Sequence, residues 1–121
     1  HNIQLVAFDY LQLSETYQKT NGQYEKTNVL SGTIPKAAQR SKLPWVVLSQ
    51  LSRAVEIRGG DKRPILSDLR DSGKIEEDSV SVTFIYRPEY YGIIKDEDGH
   101  SLQGITELIF AKFRTDGSVV N

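Results

Sequence analysis

Two short apolar runs constrain the fold of this chain more than any other feature of its sequence. The run LVAF is followed by Asp9, and the run WVVL is followed by Ser49 and Gln50. A short, continuous apolar run that is bounded by polar residues is typical of a strand buried in a parallel sheet. The two runs therefore predict two buried parallel strands, each with a polar residue at its carboxyl end.

The rest of the chain adds a loop, helices and further strands to this pattern. The polar segment around Asn21 and Gly22 predicts a mobile loop, and a helix is expected to begin near Ile34 with Pro35 in its first turn. Further strands are predicted in SVSVTFIYR, in ITELIFAKFR and after a hairpin turn at Asp116–Gly117. Strands that alternate with helices before a terminal hairpin predict an α/β fold, with a mostly parallel sheet and a C-terminal β-hairpin.

Composition excludes several classes of protein. The chain has 121 residues, which fits one domain, and it has no cysteine, so a disulfide framework and a thiolate metal site are excluded. No apolar run reaches the roughly 20 residues that a membrane-spanning helix needs. The chain begins with His1 and contains no methionine, and we interpret it as an excised piece of a longer protein.

The charge of the chain is small in total but uneven in distribution. The net charge at pH 7 is −1, which by itself argues against nucleic acid as a partner. From Ser14 to Arg58, however, seven Lys and Arg residues stand against three acidic residues. A basic stretch of this kind can bind phosphate despite a neutral total, although a solvated face of mixed charge has the same composition.

The polar residues at the two strand ends are candidates for chemistry. In an open parallel sheet, ligands bind at the carboxyl ends of the strands. Asp9 is suited there to hold Mg²⁺, and Gln50 is suited to sense or orient a phosphate or an attacking water. The alternatives are that Asp9 caps a turn and that Gln50 is a hydrogen-bonded strand end.

Two cations in the segment FAKFR form the second candidate site. Lys112 and Arg114 stand at alternate positions, so they share one face of a strand. Two neighbouring cations repel each other unless they meet an anion. The alternative is a solvated edge strand whose charges prevent pairing with other chains.

Longer motifs of this chain resemble a known family. The run LVAFDYLQL, the segment LPWVVLSQLSRAVEIRGGDKRPILSDLRDSGKIEEDS, and then FIYRPEYYG and AKFRTDG follow one another. In this order they resemble the C-terminal RecA-like motor domain of DnaB-type replicative DNA helicases. The resemblance covers nearly the whole chain. It implies that residues 1–121 are the C-terminal part of one RecA-like ATPase domain.

The resemblance also implies cofactors, partners and a location. Helicases of this family use ATP and Mg²⁺, translocate on single-stranded DNA and work as homo-hexamers. Primase and a helicase loader are further partners that the family implies, and the implied location is the cytoplasm. DNA contact is expected to be with phosphates and therefore independent of sequence.

Individual residues of the chain match the family's functional positions. Asp9 matches the Walker B aspartate that organises Mg²⁺, and Gln50 matches a strand-end glutamine that links the γ-phosphate to the DNA loops. Arg87 falls where an arginine packs against the nucleotide base. Lys112 and Arg114 match the lysine and the arginine finger that reach the ATP of a neighbouring subunit.

A charged turn in the segment SDLRDSG matches the family's DNA-binding turn. Arg70, Asp71 and Gly73 fall on the positions that approach the backbone of the single strand. A glycine there allows the protein backbone to come close to phosphates, with Arg70 as the cationic partner.

Three functions remain open from the sequence. The first is a fragment of a hexameric helicase, and the second is another RecA-like ATPase, such as a recombinase. The third is a non-catalytic piece that binds DNA or partner subunits. The run SQLSRAVE, followed by KRP and SDLR, favours the first over the second. The chain contains no G-x-x-x-x-G-K-[ST] loop, so we expect that it begins after this loop and is inactive alone.

Overall fold

The computed structural model of this chain describes residues 2–16, 21–69, 73–115 and 118–119. The longer elements are β1 (Val6–Phe8), α1 (Gln23–Ser41), β2 (Trp45–Val47), α2 (Ala54–Ile57), α3 (Gly73–Asp78), β3 (Ser81–Tyr86), β4 (Glu107–Thr115) and β5 (Ser118–Val119). Short 3-10 helices are formed by Leu11–Leu13, Leu66–Asp68 and Pro88–Tyr91. No described helix is long and apolar enough to cross a membrane.

The chain divides into two compact units. The first unit comprises His1–Ser52 and Ser67–Ser79, and the second comprises Arg53–Leu66 and Val80–Asn121. The expectation that residues 1–121 form part of one RecA-like domain stays a prediction.

Strands β1 and β2 of the first unit pair in parallel, as the two apolar runs predict. Val6 pairs with Trp45, and Phe8 pairs with Val47. The expectation that both strands are buried is wrong, because their middle residues are exposed, with Val46 at 49%. Each strand has only three residues, and a sheet of two short strands leaves alternate side chains in contact with solvent.

Helix α1 is much longer than the sequence predicts. It begins at Gln23 and has 19 residues, so the predicted loop is wrong from residue 23 onwards and Pro35 lies inside the helix. A proline in a helix interior removes one hydrogen bond and costs about 3 kcal/mol. Packing of this helix on α3 and on the 3-10 helix Leu11–Leu13 offsets that cost.

The second unit is built on an antiparallel sheet with the order β3-β4-β5. Val82, Phe84 and Tyr86 are buried, while the residues between them are exposed, as the alternating sequence predicts. Strands β4 and β5 form the predicted C-terminal hairpin. Its turn residues, Asp116 and Gly117, lie outside the described residues.

The predicted fold class is confirmed in its main features, since a parallel pair and a C-terminal hairpin are both present. The third predicted strand departs from the mostly parallel sheet that the sequence predicts. Strand β3 is antiparallel to β4. Within the described residues, the parallel ladder is therefore that of β1 and β2.

Candidate functional site

The carboxyl edge of the parallel pair brings two of the predicted site residues to the same place. Asp9 directly follows Phe8, and Phe8 pairs with Val47. The ladder continues one step further, because the N–H of Leu48 donates to the carbonyl oxygen of Phe8 at 3.0 Å. Asp9 and Gln50 therefore both leave the sheet at this edge, and both are exposed.

A residue that the sequence reasoning missed, Gln12, joins the two strand ends. It lies in the 3-10 helix that follows Asp9, next to Leu11, which is 1% exposed. The Nε2 of Gln12 donates to the Oγ of Ser49 at 3.0 Å and to the carbonyl oxygen of Gln50 at 3.4 Å. In return, the N–H of Gln50 donates to the Oε1 of Gln12 at 3.1 Å. The sequence signal that could have indicated this residue is a single glutamine between two leucines, just after the end of the strand.

The environment of Asp9 fits a magnesium ion bound together with a nucleotide. Its carboxylate is exposed and forms no ion pair with any other described residue. In nucleotide sites, Mg²⁺ is usually held by one or two carboxylates, with water and phosphate oxygens as the other ligands. A single open carboxylate at the carboxyl edge meets that requirement.

The main chain connects Gln50 to the segment that precedes the predicted DNA-binding turn. Leu51 forms an isolated antiparallel bridge with Leu69. The N–H of Ser52 donates to the carbonyl oxygen of Asp68 at 2.9 Å, and Asp68 is buried. The backbone directly after Gln50 is thus bound to the backbone directly before the turn.

The predicted DNA-binding turn lies only partly within the described residues. Arg70 and Asp71 lie outside the described residues. Gly73 is the first residue of α3, and its helical backbone has a negative φ. A positive φ is therefore not the reason for a glycine at this position.

The second candidate site, with two cations, lies on the central strand of the second unit. Strand β4 has β3 on one side, and β5 pairs with its other side at Arg114 and Thr115, so the alternative of a solvated edge strand stays open for the rest of β4. Lys112 is only 6% exposed and stands opposite Val82. Arg114 is exposed, and its backbone N–H donates to the carbonyl oxygen of Val80 at 2.9 Å.

A β-bulge explains why Lys112 is buried. Thr83 pairs with Phe110 and Val82 pairs with Lys112, so Ala111 is an extra residue in β4. In an unbroken ladder, Ala111 would stand opposite Val82 and Lys112 would point to the other face. The bulge thus places the lysine on the same face as the buried Val82. Lys112 and Arg114 stand at alternate positions, as predicted, but Lys112 is buried and Arg114 is exposed.

Arg87 lies one residue beyond the end of β3. Its side chain is 57% exposed and forms an ion pair with Glu89. Glu89 also accepts a hydrogen bond from the N–H of Gly104 at 2.9 Å. The Gly104 N–H and the Arg87 guanidinium both stabilise the charged carboxylate, so the pKa of Glu89 lies below its usual value. Glu89 therefore orients an otherwise open guanidinium at the strand end.

Arg63, in the KRP segment, has a structural role that the sequence did not indicate. Two of its nitrogens donate to the two carboxylate oxygens of Glu107, each at 2.8 Å. Its guanidinium carbon lies 5.1 Å from the centroid of the Tyr86 ring. The hydrogen bonds to Glu107 raise the pKa of Arg63 above its ordinary value, and burial raises the pKa of Tyr86. This cluster ties the segment before Pro64 to the sheet.

Comparison with known proteins decides the family. The pattern of the family described as DnaB-like helicase C terminal domain matches residues 1–120. This chain belongs to the DnaB-like helicase C-terminal domain family. The resemblance noted in the sequence is thereby confirmed.

Full-length relatives in this family are replicative helicases. Replicative DNA helicase DnaB of Rickettsia bellii (strain RML369-C) is 46% identical over 131 residues, which cover 95% of this chain and 26% of the relative. The protein of the same name from Geobacillus stearothermophilus is 42% identical over 112 residues, covering 91% of this chain and 23% of the relative. This chain spans about a quarter of the length of these relatives.

Solved structures of related proteins confirm the fold. One solved ATPase domain superposes with a TM-score of 0.80 at 40% identity, over 96% of this chain and 38% of that one. A second structure is that of a DnaB-like replicative helicase and its interactions with primase. It has a TM-score of 0.80 at 40% identity, over 96% of this chain and 26% of that one. The predicted RecA-like core is therefore correct.

The predicted site residues of this DnaB-like chain fall into two groups. Asp9 and Gln50 lie at one sheet edge of the first unit. Arg87, Lys112 and Arg114 lie on the sheet of the second unit or directly beyond a strand end. Their individual roles remain predictions.

Proposed function

We propose that this chain is the C-terminal part of the motor domain of a replicative DNA helicase. The complete helicase couples ATP hydrolysis to translocation on single-stranded DNA and to unwinding of the duplex. The observation that carries the proposal is the main-chain path from Gln50 to Asp68 and Leu69. It joins the edge where a nucleotide would sit to the segment that leads into a DNA-binding turn.

The first unit supplies the residues that face the nucleotide. Magnesium-bound ATP supplies the γ-phosphoryl group that is transferred to water. Asp9 holds the ion with its open carboxylate, either directly or through water. Gln50 presents an exposed amide beside it, which orients the attacking water or the γ-phosphate. Gln50 is well placed for this role because its backbone is fixed by Gln12.

The second unit supplies cations to the ATP of a neighbouring subunit in a homo-hexamer. Arg114 is exposed on a strand whose backbone is held from both sides, so it can reach out as an arginine finger. Its charge stabilises the negative charge that develops on the phosphoryl oxygens. Lys112, which is buried at the bulge, acts beside it. Arg87 packs against the nucleotide base with its open guanidinium.

Single-stranded DNA is bound by the turn that contains Arg70, Asp71 and Gly73. Arg70 contacts phosphates, and the small Gly73 lets the backbone approach them. When phosphate is lost, Gln50 changes its contacts, and the path through residues 51–52 and 68–69 passes the change to this turn. The turn then changes its contacts with the phosphates of the DNA.

Primase and a helicase loader are the proposed protein partners. Primase is proposed because one solved relative is described together with its interactions with primase. The loader follows from the family resemblance alone. Replication of bacterial DNA takes place in the cytoplasm, which is the proposed location.

Unwinding by the complete helicase that contains this chain tests the proposal. A forked duplex with a labelled strand should be separated when ATP and Mg²⁺ are present. The Asp9→Ala variant should bind single-stranded DNA but separate no strands. If the unaltered protein binds DNA and never hydrolyses ATP, the alternative of a non-catalytic DNA-binding or subunit-binding piece is correct.

A further inference from the structure

The backbone of Gln50 is fixed by a side chain and not by the sheet. The parallel ladder between β1 and β2 ends at the pair Phe8 and Val47, with one further bond from Leu48. Gln50 lies two residues beyond that bond. Its N–H and its carbonyl oxygen both bind the side-chain amide of Gln12, at 3.1 and 3.4 Å. A single amide therefore holds both backbone polar groups of Gln50.

Gln12 is itself held firmly. Leu11 beside it is 1% exposed, and the N–H of Leu11 donates to the carbonyl oxygen of Leu48 at 3.0 Å. The third contact of the Gln12 side chain, to the Oγ of Ser49 at 3.0 Å, fixes the orientation of the amide. Its carbonyl then faces the N–H of Gln50, and its NH₂ group faces the two acceptors.

Gln12 also lies only three residues after Asp9 in the sequence, in a 3-10 helix that begins two residues after it. Any displacement of the Asp9 segment is therefore transmitted through one short rigid turn to the amide that holds Gln50. The contact runs from the Mg²⁺-binding strand end to the phosphate-sensing strand end without passing through the nucleotide.

We propose that Gln12 is a positioning residue that sets the backbone of Gln50 and couples it to the Asp9 strand end. The proposal rests on the proposed function of Gln50. In this role Gln12 touches neither ATP nor water, and it determines how often the Gln50 amide is in the productive orientation. The rate of hydrolysis then depends on Gln12, while the affinity for ATP does not.

The test measures ATP hydrolysis by the complete helicase in the presence of single-stranded DNA. Gln12→Met keeps the length of the side chain and removes its hydrogen bonds. The kcat should fall about tenfold, which corresponds to about 1.4 kcal/mol and to the loss of one or two net hydrogen bonds. The KM for ATP should stay within about twofold. Gln39→Ala, which changes an exposed glutamine on α1, is the matched control and should leave both constants unchanged.

A double-mutant comparison separates positioning from general stabilisation. If Gln12 acts through Gln50, the variant with both Gln12→Met and Gln50→Ala should be no slower than Gln50→Ala alone. Multiplied losses in the double variant would overturn the proposal. Gln12→Glu provides a second variant, because its carboxylate still accepts from the N–H of Gln50 but sets an oxygen against the carbonyl oxygen of Gln50. It should also lower the kcat and keep the KM for ATP within about twofold, and an unaltered kcat would overturn the proposal.

The same set of variants distinguishes an error about Gln12 from an error about Gln50. If Gln50→Ala is slow and Gln12→Met has the unaltered kcat, only the role of Gln12 is wrong. If Gln50→Ala itself hydrolyses ATP at the full rate, the proposed function of Gln50 is wrong, and the role of Gln12 is lost with it.

Discussion

Ser52 donates its backbone N–H to the carbonyl oxygen of Asp68 at 2.9 Å. Ser52 lies two residues after Gln50, the predicted site residue at the carboxyl edge of the parallel pair. Asp68 lies two residues before Arg70, the predicted site residue of the DNA-binding turn. The neighbouring bridge between Leu51 and Leu69 makes the connection a short two-stranded contact. We expect such a contact to shift as a unit, so that a change at Gln50 reaches the segment before Arg70.

The buried Lys112 should be required for hydrolysis and not for folding. Lys112→Met keeps most of the packing of the side-chain stem at the bulge and removes the charge. We expect ATP hydrolysis by the complete helicase to fall about 10²-fold or more, the order typical of losing a group that stabilises transition-state charge. A thermal melt run beside the assay shows that the variant is folded. Hydrolysis at the normal rate would show that Lys112 has no role in the reaction.

Lys112→Arg separates charge from shape at the same position. The guanidinium keeps the positive charge but needs more room on a face where only 6% of the lysine is exposed. We expect this variant to remain well below the unaltered rate. Full activity would mean that any cation at this position is sufficient and that the bulge does not define the geometry.

Arg114 should act on the ATP of a neighbouring subunit. In the complete helicase, Arg114→Ala should lower kcat by about 10³-fold or more and leave ATP binding largely intact, because a finger acts on transition-state charge. Mixing this variant with Asp9→Ala subunits should restore part of the activity, since some interfaces then combine an intact Asp9 with an intact Arg114. No recovery in hexamers that are shown to mix would contradict action between subunits.

Arg70 should contribute one phosphate contact to DNA binding. Arg70→Ala should weaken single-strand binding about equally for all sequences. It should also reduce the slope of log K against log salt by about 0.7, the value for one phosphate on a single strand. A salt titration of binding, run beside a thermal melt, measures both. An unchanged slope with a lower melting temperature would show that Arg70 only stabilises the fold.

Gly73→Ala should change DNA binding and stability in opposite directions. Gly73 begins α3 with a helical backbone, where alanine is favoured over glycine by up to about 1 kcal/mol. The variant should therefore melt at the same temperature or higher. If the backbone at this position approaches phosphates closely, the added methyl group weakens single-strand binding. Unaltered binding by this variant would contradict a close approach of the backbone.

The strands of this chain were predictable because each follows a local rule. The runs that end at Asp9 and Gln50 contain β-branched and aromatic residues, and the alternation of Val82, Phe84 and Tyr86 marks one buried face. These patterns require no knowledge of distant residues. The placement of Asp9 and Gln50 at one edge follows directly from parallel pairing.

The errors arose where tertiary contacts outweigh local preference. Pro35 and Gly32 both disfavour a helix, yet α1 passes through both of them, because it packs on α3 and on the 3-10 helix Leu11–Leu13. The bulge at Ala111 has no sequence signal, since it is defined by the register of β4 against β3. For the same reason the sequence reasoning treated Lys112 and Arg114 as equivalent cations.

The role of Gln12 was missed because a glutamine between two leucines is common on any surface turn. Its importance depends on the distance to Ser49 and Gln50, which are 37 and 38 residues further along the chain. Only the folded register of β1 and β2 brings these groups together. Contacts of this kind, on which the proposed coupling rests, cannot be predicted from the spacing of residues in the sequence.

Removal of the hydrogen bond between Ser52 and Asp68 tests the central claim most directly. Ser52→Pro deletes the donor N–H, and the extended backbone of Leu51 is compatible with a following proline. Ser52→Ala keeps the N–H and reveals any contribution of the hydroxyl. The measurement is ATP hydrolysis by the complete helicase with and without single-stranded DNA. We predict that Ser52→Pro keeps hydrolysis without DNA and loses most of the stimulation by DNA, whereas Ser52→Ala keeps both. Full stimulation by DNA in a folded Ser52→Pro protein would contradict the coupling.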